Sequence, residues 1–135
     1  MLNQILQPIQ PQIGRFEERF KKTLESDVKL VQAMGDRIME TRGKILRPAL
    51  SLLTAQAIGE CCDRAIDAAI GIEIIHTATL IHDDVVDFAD KRRGTEVLNL
   101  RWGNQAAVLM GDFLLARALQ VLVGLDSMKV MRAAT

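Results

Sequence analysis

The sequence predicts an all-α fold, built as a bundle of helices. Apolar residues recur three and four positions apart along nearly the whole chain, as they do on one face of a helix. β-Branched residues never alternate cleanly with polar ones, so amphipathic strands are not expected. No Ser- or Gly-rich linker, repeat or low-complexity tract divides the 135 residues, which are enough for one domain. We therefore expect a single helical domain over residues 1–135.

The N-terminal half contains three predicted helices. The first places its apolar side chains on one face: Ile9, Ile13, Phe16 and Phe20. The second begins at Ser26 or Asp27, which are good N-cap residues, and ends at Gly43. Its inward-facing side chains are predicted to be Val31, Met34 and Ile38. The third runs from about Leu46 to Ala57, with a proline in its first turn, where proline is tolerated, and with Gly59 as its stop signal.

The C-terminal half contains two long helices. One covers residues 63–87 and is largely apolar, and a charged loop, FADKRRGTE, follows it. The other covers residues 104–124 and is apolar nearly all round, which is typical of the central helix of a bundle. Asp126 or Ser127 is a suitable cap for a short sixth helix. We expect 135 residues to be too few to cover the 104–124 helix, so a longer protein or another chain completes the bundle.

The composition is that of a soluble globular protein, with 49% hydrophobic and 25% charged residues. Basic and acidic residues number 17 each, and this balance argues against a nucleic-acid-binding domain. The adjacent Cys61 and Cys62 form neither a zinc motif nor a favourable disulfide, which fits a reducing compartment. The N-terminus has no signal-peptide pattern, and uncharged stretches such as residues 48–59 are too short to span a membrane. We expect a cytoplasmic protein without a membrane span.

The most specific chemical feature is the acidic run Asp83-Asp84-Val85-Val86-Asp87. Asp83 and Asp87 lie one helical turn apart on one face, and Asp84 lies to the side. Like charges at this spacing repel each other, and a helix C-terminus disfavours acids, so a bound cation would stabilise the arrangement. Mg²⁺ prefers one or two carboxylates together with waters and phosphate oxygens. The alternative is a solvated acidic helix end, but the aspartates extend an apolar stripe rather than a polar surface.

Three further features supply groups that suit an anionic substrate. The basic run 91–94 follows the aspartates closely, and arginine's planar fork suits phosphate oxygens. Lys44 and Arg47 lie three residues apart at the beginning of a helix, where anions bind well. His76 lies seven residues before the first aspartate, on the same helix face. Each has an ordinary alternative, which is a solvated basic surface for the cations and a satisfied core position for the histidine.

Taken together and in order, these features resemble the trans-isoprenyl diphosphate synthases, which make polyprenyl diphosphates. The matching segments are GKILRP, GIEIIHTATLIHDDVVDFADKRRGT and WGNQAAVLMGDFLLARA, which cover most of residues 43–118. Jointly they are highly specific, although no single segment would be. The resemblance implies an antiparallel helical bundle of the isoprenoid synthase type around a deep cavity. This chain would form only the N-terminal part of such a domain, so its bundle is expected to be incomplete.

The resemblance also implies a reaction, a cofactor and a set of site residues. The reaction is the condensation of isopentenyl diphosphate with an allylic diphosphate. The cofactor is Mg²⁺, which binds the allylic diphosphate and is held by the catalytic aspartates Asp83, Asp84 and Asp87. Arg92 resembles a further allylic-diphosphate ligand. The residues that resemble isopentenyl-diphosphate contacts are Lys44, Arg47, His76 and Arg93. Members of the family are usually dimeric, so a homodimer is expected.

Two departures from the family pattern bear on activity. Arg42 replaces the first glycine of the Gly-Gly-Lys that often precedes Leu-Arg-Pro in the family. No second aspartate-rich motif follows Asp87, although the family uses one to complete its magnesium cluster. We therefore expect the chain to be inactive alone. The competing hypothesis is a non-catalytic diphosphate-binding subunit that another chain completes. A plain helical interaction module explains the helix faces but not the ordered matches.

The residues just before the aspartates bear on product length. In the family, these positions line the cavity in which the product grows, and bulky aromatic side chains there stop elongation early. The corresponding residues here are Ala78 and Thr79, with Ile75 one turn deeper. None of them is aromatic, so the resemblance implies a medium- or long-chain product, such as the side chain of a respiratory quinone.

Overall fold

A computed structural model describes residues 2–59, 62–92 and 94–134, and most of these residues lie in helices. The prediction of an all-α fold is confirmed. In chain order, the elements are α1 (Leu2–Leu6), a 3₁₀ turn (Gln7–Ile9), α2 (Gln10–Leu24), α3 (Lys29–Thr41), α4 (Leu46–Ala57), α5 (Asp63–Val86), β1 (Lys91–Arg92), β2 (Thr95–Glu96), α6 (Leu98–Trp102), α7 (Asn104–Val123) and α8 (Met128–Ala134).

Helices α5 and α7 run antiparallel and form the centre of the fold, where two glycines allow close approach. A Cβ added at Gly71 of α5 would lie 2.5 Å from Leu122 of α7. A Cβ added at Gly111 of α7 would lie 2.1 Å from His82 of α5. The Nε2 of His82 donates a hydrogen bond to the carbonyl oxygen of Val108 at 3.1 Å. This contact fixes the end of α5, which carries the aspartates, against α7.

The core beside this pair is formed by α2 and α4. The apolar face predicted for the first helix is buried. The buried side chains of α2 are Ile13, Phe16, Phe20 and Leu24. Helix α4 contributes Ala49 and Leu52 to the same core. Its bounds, Leu46–Ala57, agree with the predicted ones, and the stop residue Gly59 has a φ of +78°, which glycine adopts readily.

Helix α3 begins at Lys29, so the prediction that it begins at Ser26 or Asp27 is wrong. The side chain of Ser26 accepts a hydrogen bond from the backbone N–H of Val28, which stabilises a non-helical turn before the helix. The helix ends at Thr41 rather than at Gly43, because the backbone at Arg42 turns to an extended conformation, with a ψ of 134°. Met34 and Ile38 are buried, as predicted.

The charged loop that was predicted after α5 contains a short β-hairpin instead. Strands β1 and β2 pair antiparallel, with Lys91 opposite Glu96 and Arg92 opposite Thr95. Residues 91–96, KRRGTE, are charged or polar apart from one glycine. They show no alternating apolar pattern, so the sequence did not predict strands here. The hairpin brings the chain back towards the end of α5.

Helix α7 is central but only partly covered. Its large apolar side chains Leu109 and Val123 are 67% and 62% exposed, and Leu119 is 45% exposed. Helices α5 and α7 are also long and apolar enough to cross a membrane, by length and composition alone. Stretches without any charged residue, such as residues 48–59, are too short to span a membrane. Helices α5 and α7 are longer than these stretches because each includes a few charged residues. As expected, the described residues do not cover every face of α7.

Candidate functional site

A cavity of about 120 Å³ is lined by nine ionisable side chains of the described residues. Its wall is formed by the end of α3, the α3–α4 loop, the first turn of α4, the middle of α5 and the hairpin. The ionisable side chains in this wall are Arg37, Arg42, Lys44, Arg47, Glu73, His76, Asp84, Arg92 and Glu96. Five basic side chains therefore face three acidic ones and a histidine, which favours an anionic ligand.

Three of the residues predicted to bind diphosphate line this cavity together. Lys44 lies in the α3–α4 loop, and its carbonyl oxygen accepts a hydrogen bond from the N–H of Leu46 at 2.9 Å. Arg47 lies in the first turn of α4, which contains no acidic residue, so the helix N-terminus adds to the positive potential there. His76 comes from α5 and is half-buried. The fold thus assembles three groups that are up to 32 residues apart in the sequence.

The structure divides the three aspartates into two groups. Asp84 is 7% exposed and lines the cavity, on the same face of α5 as His76. Asp83 and Asp87 are exposed at the end of the helix. The sequence had placed Asp84 to the side and had aligned His76 with Asp83. Spacing gives the angles between these residues, but it does not say which of them faces the interior.

Asp84 is paired with Arg92 of the hairpin. The guanidinium donates from Nε to Oδ1 and Oδ2 of Asp84, at 3.0 and 3.2 Å, and from Nη2 to Oδ1 at 2.7 Å. This hydrogen bonding raises the pKa of Arg92 above its ordinary value, so the side chain stays protonated at any working pH. Arg93, which was assigned to isopentenyl diphosphate, lies outside the described residues.

The last turn of α5 is closed by a Schellman motif. The N–H of Ala89 bonds to the carbonyl of Asp84 at 3.0 Å, and the N–H of Phe88 bonds to that of Val85 at 3.3 Å. Phe88 occupies the left-handed position of this motif, with a φ of +52°, where glycine is usual. Its side chain is 84% exposed. The motif ends α5 at the aspartates and fixes the orientation of the turn that carries them.

The exposed aspartates fit part of a magnesium site. Among residues 2–59, 62–92 and 94–134, no three His, Cys, Asp or Glu side chains form a group that could hold a metal ion. Asp83 and Asp87 nevertheless present two exposed carboxylates one turn apart, and Mg²⁺ is typically held by one or two carboxylates together with waters and phosphates. The third predicted ligand, Asp84, is instead occupied by Arg92.

The three predicted product-length residues differ in exposure. Ala78 is fully buried, Ile75 is half-buried and packs against the core, and Thr79 is exposed. Thr79 is therefore the member of this group whose side chain is accessible at the surface. Ala78 is instead part of the buried core.

Sequence reasoning missed two residues near the site. Glu73 is a buried acid in the cavity wall, and it is the only Asp, Glu, Lys or Arg between residues 68 and 82. An isolated charged residue in an apolar helix is a signal of a functional or structural role. His82 was given no role, but it bonds to α7 at the start of the aspartate run. Nothing in the sequence pattern indicates that contact, because it depends on the glycine opposite.

Comparison with known proteins identifies the family and the fold. The sequence model of a family described as polyprenyl synthetase matches residues 28–135, which is most of the chain. The chain belongs to this family. Polyprenyl synthetases with solved structures also share its fold. A polyprenyl synthase from Caulobacter crescentus CB15, complexed with calcium and isoprenyl diphosphate, superposes with a TM-score of 0.91 at 34% identity, over 99% of this chain and 42% of the other.

The curated relatives of the chain include nonaprenyl and octaprenyl diphosphate synthases. The chain is 43% identical, over 129 residues, to an all-trans-nonaprenyl-diphosphate synthase (geranyl-diphosphate specific) of Rhodobacter capsulatus, which covers 95% of this chain and 40% of the relative. It is 46% identical, over 108 residues, to the octaprenyl diphosphate synthase of Escherichia coli K12, which covers 80% of this chain and 33% of the relative. The chain thus spans at most about two fifths of the length of these relatives.

Proposed function

We propose that this chain carries the isopentenyl diphosphate site, and half of the allylic diphosphate site, of a polyprenyl diphosphate synthase. The observation that carries the proposal is the cavity that collects Lys44, Arg47 and His76 from the α3–α4 loop, α4 and α5. A diphosphate is a compact, multiply charged anion, and arginine binds two of its oxygens at once while lysine adds a point charge. The excess of basic over acidic side chains in the wall favours such a ligand over a neutral one.

Asp83 and Asp87 would hold the magnesium of the allylic diphosphate. Both carboxylates are exposed at the end of α5, and both help to raise the pKa of Arg92, which is paired with Asp84. When bound, Mg²⁺ supplies charge stabilisation for a departing diphosphate. We assign Arg92 to the same allylic diphosphate and Arg93 to isopentenyl diphosphate, as the family resemblance implies. Asp84 would orient the Arg92 guanidinium, and we retain it as the third magnesium ligand of the complete enzyme.

The reaction that fits this arrangement is head-to-tail prenyl transfer. The carbon–oxygen bond of the allylic diphosphate breaks, the isopentenyl double bond forms the new carbon–carbon bond, and loss of a proton restores an alkene. The chain's residues hold the two anions side by side and stabilise the leaving group's charge. A medium- or long-chain product is supported by the absence of aromatic residues at positions 75, 78 and 79, and by the nonaprenyl and octaprenyl products in the relatives' names.

The chain alone is expected to bind diphosphate but not to catalyse condensation. No second aspartate-rich motif follows Asp87 in its sequence, so half of the metal cluster is missing. The same cavity is compatible with a second candidate function, a non-catalytic diphosphate-binding subunit that another chain completes. We further propose a cytoplasmic homodimer that joins through the exposed apolar face of α7. We also propose that the protein does not span a membrane, because α5 and α7 pack against each other along their length.

Isothermal titration of the 135-residue chain with isopentenyl diphosphate tests the proposal. Lys44→Met and Arg47→Met should each weaken binding by about tenfold or more, because each removes a charge-assisted hydrogen bond. Arg101→Met is the matched control, since Arg101 is an exposed arginine that does not line the cavity. Wild-type chain that does not bind, or an equal loss in all three variants, would disprove the site. Condensation product formed by the chain alone with Mg²⁺ and both substrates would contradict the expected inactivity.

A further inference from the structure

Arg42 is a cavity residue to which the proposed reaction gives no task. It is the residue at which α3 ends and the α3–α4 loop begins, two positions before Lys44. Its side chain lines the cavity but is only 12% exposed. A long basic side chain is rarely buried to this extent unless it is paired. Its surroundings therefore indicate what holds it.

The guanidinium of Arg42 is bound to α2. Its Cζ lies 4.8 Å from the ring centroid of Phe20 and 5.6 Å from that of Phe16. Its Nη2 donates to Oε1 of Glu17 at 3.3 Å. The two rings are fully buried and 5.5 Å apart, so they form a rigid platform. Arg42 thus joins the start of the loop to the most buried face of α2.

The other terminal nitrogen of Arg42 is also withdrawn from solvent. Nη1 is buried and has no hydrogen-bond partner among the described residues. A cation over an aromatic face is stabilised by the ring's electrons, and this compensates a donor that has lost water. Glu17 and the two rings together hold the guanidinium on α2. Arg42 must therefore influence the cavity through the backbone that it anchors.

We propose that Arg42 is a positioning residue, which anchors the α3–α4 loop to α2 and thereby holds Lys44 and Arg47 at the diphosphate site. The inference rests on the function proposed above. Lysine would keep the charge at this position, but its ammonium group is compact and strongly hydrated, so it suits a buried position over two aromatic rings less well than a guanidinium. The anchor therefore requires the guanidinium, and a positive charge alone is not sufficient.

Binding of inorganic pyrophosphate to the 135-residue chain, measured by calorimetry, tests this. Arg42→Lys and Arg42→Met should both weaken binding by about tenfold, since both lose the contact of the guanidinium with the two rings. Arg101→Lys is the matched control, because Arg101 lies over Trp102 at the same 4.8 Å but outside the cavity wall. Arg42→Lys that binds like the wild type would overturn the inference, because charge alone would then be sufficient.

Two further variants separate positioning from direct binding. Glu17→Gln should also weaken pyrophosphate binding, by about twofold, because it loosens the anchor. If Arg42 were itself a ligand, removing the Glu17 carboxylate that competes for it would instead tighten pyrophosphate binding. That result would overturn the inference. In a Lys44→Met background, Arg42→Lys should lose most of its effect, since it acts through the loop that carries Lys44. Fully additive effects would contradict this.

A measurement without ligand distinguishes failure of the inference from failure of the proposed function. Wild-type chain that does not bind pyrophosphate would count against the proposed function. The anchor is tested separately by the backbone ¹⁵N relaxation of Gly43 and Lys44 in the free chain. Arg42→Lys should increase their fast motion, whereas Arg101→Lys should not. Unchanged relaxation in Arg42→Lys would overturn the anchoring inference whatever the outcome with pyrophosphate.

Discussion

The close approach of α5 and α7 makes Gly111→Ala a sharp test of the packing beneath the aspartates. The added Cβ would lie 2.1 Å from Nε2 of His82 and 2.4 Å from its Cδ2, which is closer than real Cβ contacts. The imidazole must rotate away and lose its hydrogen bond to Val108. Overpacking of this kind costs about 2 kcal/mol, while alanine in place of a mid-helix glycine contributes about 0.5–1 kcal/mol. The expected net loss in the free energy of unfolding is about 1–1.5 kcal/mol.

Urea unfolding followed by circular dichroism measures this loss. Gly14→Ala in α2 is the matched control, because nothing lies within 4 Å of a Cβ added there, so this variant should gain about 0.5–1 kcal/mol. In a His82→Ala background the clash is removed, and Gly111→Ala should become neutral or stabilising. If Gly111→Ala costs as much in that background as in the wild type, the reasoning is refuted, because the ring is then not what the new Cβ meets.

Three further outcomes are expected. Phe88→Gly should raise the free energy of unfolding in urea by about 1 kcal/mol, because glycine adopts a φ of +52° without a Cβ clash; a loss of stability would contradict this. In a full-length synthase, Thr79→Phe should shorten the product seen by chromatography, whereas Ala78→Phe should mainly destabilise the buried core; unchanged length with Thr79→Phe would rule out its assignment. Leu109→Lys should shift sedimentation of the chain from dimer to monomer, whereas Leu50→Lys in α4 should not, although Leu50 is just as exposed; equal behaviour would place the interface elsewhere.

Elements with strong local signals could be predicted from the sequence. The bounds of α4 followed from a proline in its first turn and from Gly59 as a stop signal, and Gly59 has a positive φ in the structure. The apolar faces of α2 and α3 followed from helical spacing. The start of α3 did not, because Ser26 uses its hydroxyl to stabilise a turn rather than to cap the helix. Two uses of the same side chain are equally compatible with the sequence.

The site could be predicted as a set of residues, but not as an arrangement. Motif order identified Lys44, Arg47 and His76, and the structure brings them to one cavity. Which aspartate faces inward could not be predicted, because it depends on Arg92, eight residues away in a hairpin that carries no strand signal. The role of Arg42 depends on aromatic rings of another helix. Contacts between distant segments are the part that local patterns leave open.

The ion pair between Asp84 and Arg92 has a consequence for ligand affinity. The carboxylate occupies the guanidinium edge that a phosphate group would use, so a diphosphate must compete with an anion that is tethered in place. Such a tethered competitor has an effective concentration on the order of millimolar or higher. Any interaction that draws Asp84 away therefore increases the affinity of Arg92 for its ligand, and by reciprocity the ligand strengthens that interaction. A ligand must therefore carry enough negative charge to displace the buried carboxylate of Asp84 from Arg92.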